Sequence, residues 1–362
     1  MNGSLAEQEW SSLLDLVSEA IDLEASARAG GALTRRRRIG SAKDLLRLCL
    51  VYGPGGLSLN DTATWAAAEG VAELSKTGLL YRIRDSAEWL AQIAAALLAK
   101  RAGAEAERTW LGRRARLVDG SSITARGRGQ DWRLHAVYDL AAQRFDELEL
   151  TAKTQAEALQ RMSAAPGDLV IADRVYARPR GLRHIQACGA DFLVRLGSKS
   201  LKLARPNGRP FNLAAALKQS TKQGGVDCDV LILNASAKGW PPMPARLVII
   251  PKPPGAAKAS RAKALRASQK GGHQNDPLSL QAADHLMLIT SIPADQATPD
   301  QLRDAYRLRW QIELAFKRLK TLLHIDRLPA KEPRLAKAWL CAHLIAALLI
   351  EDIIPQLRDS PP

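Results

Sequence analysis

Cysteine is scarce in this sequence, with four among 362 residues, at positions 49, 188, 228 and 341. Four so scattered cannot staple a disulfide scaffold. No two form a Cys-x-x-Cys pair, which excludes a zinc ribbon, and a reducing cytoplasm is the expected compartment. The six histidines (135, 184, 273, 285, 324 and 343) show no His-Glu-x-x-His or other paired metal spacing. Aromatic residues make up only 5%. No signal peptide opens the chain, since its first 22 residues carry acids in an amphipathic pattern. Long apolar runs are also missing. The best, Leu335 to Ile350, contains Lys337 and His343, and its clean stretch is shorter than the roughly 20 residues of a spanning helix. A buried C-terminal helix and no membrane partner are expected. Acid is in deficit too: 37 Asp+Glu face 52 Lys+Arg, a formal net charge of +15. What is present is 46% apolar residues, enough to bury a core and exclude a disordered tail. At about 100–200 residues per domain the length suggests two or three domains. The positive excess points to nucleic acid, because each neutralised phosphate releases a counterion.

The first hundred residues read as helical, with Leu13, Leu14, Val17, Ile21 and Leu23 near helical spacing. Four arginines, Arg35 to Arg38, follow a Gly-rich loop and would suit a phosphate backbone. Leu59 to Glu69 is one helical run, Gly70-Val71 breaks it, and Leu74 to Arg84 resumes with Lys76, Arg82 and Arg84 outward. That pattern fits a helix-turn-helix whose second helix enters a major groove, and also a plain helical hairpin.

From Arg113 the periodicity changes. Arg116 to Asp119, Trp132 to Asp139, Phe145 to Leu150, Leu169 to Asp173 and Phe192 to Leu196 read as strands, with helices near Gln155 to Met162 and Arg180 to Cys188. This order suits a mixed α/β sheet. Residues 197–293 differ in texture. Strands Val226 to Asn234, Ala245 to Pro251 and His285 to Ser291 flank Gly255 to Gly272, where Lys258, Arg261, Lys263, Arg266 and Lys270 occur with no acid. The stretch reads as a β-rich insertion with a basic arm.

Asp119 and Asp173 each end an apolar strand. A carboxylate flanked by core residues must be solvated, paired or metal-bound, although Asp119-Gly120-Ser121 is also a good turn sequence. A helix over residues 302–323 would place Tyr306, Arg309, Glu313 and Lys320 within an arc of roughly 60° at about 100° per residue. An Arg309–Glu313 pair at i,i+4 explains part of that stripe, for only a few tenths of a kcal/mol.

Tyr306-x2-Arg309-x3-Glu313-x6-Lys320 resembles the Tyr-Arg-Glu-Lys signature of the insertion-sequence-four family of DDE transposases. Leu117 to Ser121 resembles its first-Asp block and Gly167 to Tyr176 its second, with Arg133 to His135 and Gly189 to Leu196 following in order. The likeness covers about residues 55 to 350. Asp119 and Asp173 lie 54 residues apart and Glu313 follows after 140 more, the long second gap of a family with a β-rich insertion. Val175 stands where the family commonly has Gly, and the chain stops soon after the Glu helix, where members often continue.

The resemblance implies an α/β fold, an RNase H-like core interrupted by the β-rich insertion and preceded by an all-helical DNA-binding domain. Its parts would be residues 1–105 (helical), 106–196 (core, first part), 197–298 (insertion) and 299–362 (core, second part). It implies DNA transposition by two-metal phosphoryl transfer. Asp119, Asp173 and Glu313 would hold two Mg2+ ions, with Mn2+ able to substitute. Tyr306, Arg309, Lys320, Arg174 and Tyr176 would contact the DNA end beside them. The expected partners are transposon ends and target DNA, with a homodimer at synapsis, in a bacterial cytoplasm on the nucleoid. A decayed or truncated relative that only binds DNA is the alternative. The family's hairpin chemistry calls for a flipped base and a stacking aromatic. Trp240 reads first as a core residue and Trp310 as either, while a structural hydrogen bond is expected for His135.

Overall fold

The computed structural model describes residues 3–34, 38–102, 110–125, 129–233, 240–272, 276–323, 327–328 and 332–358. Arg35 to Arg37, His273, His324 and the boundary expected near residue 105 lie outside them.

Six helices come first: α1 (Gly3–Ser18), α2 (Leu23–Ala29), α3 (Ala42–Tyr52), α4 (Leu59–Ala68), α5 (Lys76–Asp85) and α6 (Ala87–Ala102). Serine side chains cap three of them, Ser41, Ser58 and Ser75 each accepting the amide three residues on, which satisfies a donor the helix start would leave orphaned. Gly70 breaks α4 from α5 at φ +67°, a conformation glycine adopts without a Cβ clash. The expected two-helix unit is therefore present, although its second helix starts at Lys76, because Ser75 takes the cap position.

Strands β1 (Arg114–Ala125), β2 (Trp132–Asp139) and β3 (Arg144–Ala152) form an antiparallel meander. After β4 (Asp168–Ala172), helix α7 (Pro179–Ala187) leads to β5 (Asp191–Arg195). Next come β6 (Lys202–Ala204), α8 (Leu213–Gln223), β7 (Val226–Leu233), β8 (Met243–Pro251), α9 (Pro254–Lys270), α10 (Pro277–Ala283) and β9 (His285–Thr290). The chain closes with α11 (Pro299–Arg307), α12 (Trp310–Leu323), β10 (Arg327–Leu328) and α13 (Pro333–Arg358). One mixed sheet runs β3-β2-β1-β4-β5-β9-β8-β7-β6, and β10 pairs beside β1. The strands of the 197–298 segment thus extend the same sheet through the antiparallel pair β5–β9.

Side chains alternate across the sheet, as period 2 requires. Leu117, Leu169, Ile171 and Leu193 join one core with α11, α12, α13 and the N-terminal helices. Val118, Val170, Ala172, Phe192 and Val194 face a second core with α7, α8 and α10. By length and apolar composition α13 could cross a membrane, yet 72% of its apolar window is buried within the protein.

Two sequence expectations are corrected. The basic arm is helix α9, because its Ala, Lys and Arg residues are good helix formers and Pro254 starts the first turn. The expected helix at 155–162 shrinks to one 3-10 turn at Leu159–Arg161. Side chains capture its first carbonyls: Arg133 donates to Gln155 O (2.8 Å) and Arg161 to Ala156 O (3.0 Å).

A buried ion-pair network underpins β1. Arg116, 3% exposed, reaches Asp146 (2.6 Å) and Asp168 (3.2 Å), and donates to Ser163 O at 2.6 Å. Arg116→Ala strands buried carboxylates and should cost about 3–5 kcal/mol of stability, read from urea denaturation of the two proteins.

Candidate active site

Strand register brings the two expected aspartates together. Val118 pairs with Ala172 across β1 and β4, and Ala172 with Val194 across β4 and β5, all parallel. The next residue on each strand is Asp119, Asp173 and Arg195, side by side on strands about 4.8 Å apart. This rank lies where β4 and β5 end, the carboxyl edge at which α/β sheets gather ligand-binding groups. The turn that Asp119-Gly120-Ser121 might have made is absent. β1 continues to Ala125 because β2 pairs with it on one side and β10 on the other.

The single helix expected over 302–323 is two helices. Between α11 and α12, Arg309 N bonds Tyr306 O (3.1 Å), Gln311 N bonds Leu308 O (2.9 Å) and Ile312 N bonds Arg309 O (3.3 Å). Such i→i−3 bonds make a tighter turn and reset the helical phase, so the arc drawn on a continuous helix does not hold. Tyr306, Arg309 and Glu313 nevertheless meet at the rank of acids, while among the described residues Lys320 makes no contact with it. Tyr306 Oη donates to Asp173 Oδ1 at 3.2 Å. Arg309 Nη1 lies 3.5 Å from Asp119 Oδ2, and Arg309 Nη2 donates to Glu313 Oε1. Arg195 Nη1 stands 3.9 Å from Asp173 Oδ1.

Arg309 therefore stands between Asp119 and Glu313 as a fixed cation. Among the described residues no three acid, His or Cys groups already converge at metal-holding distances. The charge balance is uneven. Burial pushes the Asp119 carboxyl up to about 6, opposed by the Gly120 amide and Arg309 and aided by Glu313 and Glu157. Burial also works against the Arg309 charge, but Tyr306, Glu313 and Asp119 outweigh it and hold the guanidinium protonated above its ordinary range. Burial and the Asp173 charge push the Tyr306 phenol up to about 12, so it remains a donor. Arg309 Nε is buried with no hydrogen-bond partner among the described residues.

The remaining expected residues divide. Arg174 is exposed beside the Asp173 turn, and Lys320 is half-buried on α12, two turns beyond Glu313. Tyr176 is no surface contact: it is 2% exposed, and its buried hydroxyl lacks a hydrogen-bond partner. That hydroxyl feels Asp119, Glu157 and Asp173, which with burial raise its pKa far above the usual phenol range. At the N-terminal helices, Lys76 is exposed while Arg84 is held by Asp85 (3.0 Å) and stacked 4.8 Å from the Tyr81 ring. Arg82 lies across the buried Leu79–Ile83 stripe from them. His135 makes the structural bond expected, Nε2 to Thr151 Oγ1 at 2.9 Å, and burial lowers its pKa to about 4. Trp240 and Trp310 are not core residues, being 41% and 50% exposed, and Trp240 stacks 5.2 Å from Arg183.

Three residues beside the site were invisible in sequence. Arg195 needed the strand order, which puts β5 next to β4. Glu157 reaches the site only through the loop that replaces the expected helix, where Arg133 of β2 stands 3.5 Å from it. Tyr81, half exposed on α5, could have been found from the outward face that already held Lys76.

Comparison with known proteins identifies the family. A sequence family described as "Transposase DDE domain" matches residues 110–349. InsL of insertion sequence element IS186A, from Escherichia coli strain K12, is 43% identical over 99% of this chain and 97% of its own length. The transposase for insertion sequence element IS421, from Escherichia coli, is 42% identical over the same shares. That for element IS231F, from Bacillus thuringiensis subsp. israelensis, is 26% identical over 54% of this chain and 43% of its own. With a matching domain over most of its length and relatives this similar from end to end, the chain belongs to the DDE transposases of insertion sequences, in the insertion-sequence-four family.

Proposed function

We propose that this protein cuts the ends of its own insertion sequence and joins the freed 3′-OH to target DNA. The observation that carries the reading is the parallel register that sets Asp119 beside Asp173, beneath an Arg309 shared with Glu313. Three carboxylates form an all-oxygen donor set, which suits hard divalent cations. A guanidinium between two of them also fits a site built for cations. Asp119, Asp173 and Glu313 would hold Mg2+, with Mn2+ as substitute. Two such ions when bound supply Lewis-acid activation of the attacking oxygen and charge neutralisation at the leaving one.

The chain's own residues do the rest. Arg309 presents a planar fork for a phosphate, and its buried Nε is a spare donor. Tyr306, protonated at neutral pH, gives a hydroxyl to Asp173 in the DNA-free chain and to a phosphate oxygen when DNA arrives. Arg195 fixes Asp173 from the neighbouring strand. Arg174 and Lys320 lend positive charge at the rim.

The core is read as RNase H-like. Its support is the order β3-β2-β1-β4-β5 with β2 antiparallel, the first acid on the central strand, the second just after its parallel neighbour and the third on a helix. Residues 1–105 would bind DNA through α5, 197–298 would form the insertion, and 106–196 with 299–362 the core. The protein would act as a homodimer on paired ends, on the nucleoid of a bacterial cytoplasm.

The test is a supercoiled plasmid carrying the encoding gene with its flanking DNA. Strand breaks at the element boundaries that require a divalent cation are expected. Sequence-specific binding without breakage would instead make the protein a DNA-binding relative that has lost catalysis. Independently, Lys76→Ala should weaken binding to every sequence alike and lower the slope of log Kd against log salt by about 1, measured by titration at several salt concentrations.

A further inference from the structure

We propose that Glu157 is a positioning residue that sets the Asp119 carboxylate from the opposite face of the sheet, acting through Gly120. This rests on the reading of Asp119 as a catalytic acid. Gly120 N donates to Asp119 Oδ1 at 2.9 Å, so the peptide that follows Asp119 aims its carboxylate. Beneath that peptide a β-carbon would stand 2.6 Å from Glu157 Oε1 and 3.1 Å from its Cδ and Cγ. A β-carbon does not come within 2.6 Å of an oxygen, so the end of the Glu157 side chain lies in the space a side chain at 120 would fill.

Glu157 is held there by construction. Arg133 Nε lies 3.5 Å from Glu157 Oε1 while its Nη1 donates to Gln155 O at 2.8 Å. Arg161 clamps the same loop from the other side, donating to Ala156 O (3.0 Å) and to Gln155 Oε1 (3.0 Å). Arg161 also donates to Glu149 Oε1 at 2.8 Å, which ties this loop, without a helix of its own, to β3. Tyr176, three residues beyond Asp173, keeps its buried hydroxyl without a hydrogen-bond partner among the described residues. Glu157 thus lies directly against the strand of the first acid, at Gly120. Its backing keeps Gly120 from yielding when the carboxylate of Asp119 is pulled by a ligand.

A shift of about 1 Å in a catalytic group can cost about 100-fold in rate. Gly120→Ala should therefore slow single-turnover cleavage about 100-fold, and Glu157→Ala about 10-fold. Because Glu157→Ala removes the atoms that clash, the double variant should cut at least 10-fold faster than Gly120→Ala alone. Glu157→Gln, which keeps the shape, should stay within a few-fold of wild type. DNA affinity in EDTA should change less than about 2-fold in each, which separates positioning from binding. Amide exchange in the peptide spanning 117–123 should accelerate in Glu157→Ala, a readout that needs no activity. A double variant no faster than Gly120→Ala, or wild-type cleavage and exchange in Glu157→Ala, overturns the proposal. Cleavage that survives Asp119→Asn overturns the catalytic reading instead, and the exchange result then still reports whether Glu157 braces Gly120.

Discussion

Asp119→Asn should lower strand cleavage by at least about 1,000-fold while leaving the chain folded and more stable at neutral pH. Asn keeps the size of the side chain and one oxygen but cannot carry the charge that neutralises a divalent cation. In the proposed two-metal chemistry, transition-state stabilisation of several kcal/mol would rest on that cation, and each 1.36 kcal/mol is tenfold in rate. The stability gain comes from the free site. Burial, reinforced by Glu313 and Glu157, raises the Asp119 carboxyl from 3.8 to about 6. The folded chain therefore holds this proton more tightly than the unfolded chain does. The resulting stability is complete below about pH 4 and is lost as pH rises through 6. Asn has no proton to lose, so the variant should lack that decline. Urea denaturation at pH 5, 6 and 7, beside a cleavage time course, measures both effects. Wild-type cleavage by Asp119→Asn would remove Asp119 from the chemistry.

Arg309→Ala should cost about 100- to 1,000-fold in cleavage, the range for deleting one preorganised donor at a charged transition state. Three contacts disappear together: Asp119 at 3.5 Å, Glu313, and the Tyr306 ring 5.9 Å away. The partly buried Asp119 then faces Glu313 with no cation between them, which should destabilise the cation-free protein at pH 7. Added Mg2+ should restore part of that stability, because a divalent ion replaces the missing charge. Arg309→Lys retains the charge without the planar fork and should fall between the two. Thermal unfolding with and without Mg2+, together with single-turnover cleavage, tests this. Full activity of Arg309→Ala would show that the guanidinium serves only the free fold.

Most core strands were legible because each is a short apolar run closed by turn residues: Trp132–Asp139 was read to the residue and β3 to within two. β1, by contrast, was read only from Arg116 to Asp119, because its second half, Gly120 to Ala125, is polar and turn-like and is held extended by pairing. The acids and the Tyr-Arg-Glu-Lys spacing stood out as polar residues where packing had no use for them. Helix α9 was hidden by its charge, although its alanines were in plain view. The 155–162 loop could not be read, because its local helical preference is overruled by Arg133 and Arg161, which reach it from elsewhere in the chain.

By itself, then, the sequence determined the charge, most of the core strands, and the acid blocks and Tyr-Arg-Glu-Lys spacing that mark the family. These follow from local period and residue chemistry. Tertiary structure alone decided that Asp119 lies mid-strand, that Arg195 joins the rank, that the signature spans a break between two helices, and that Glu157 backs Gly120. Each depends on register between strands or on a side chain arriving from a distant loop, and pairing partners leave no mark in the residues that they bring together.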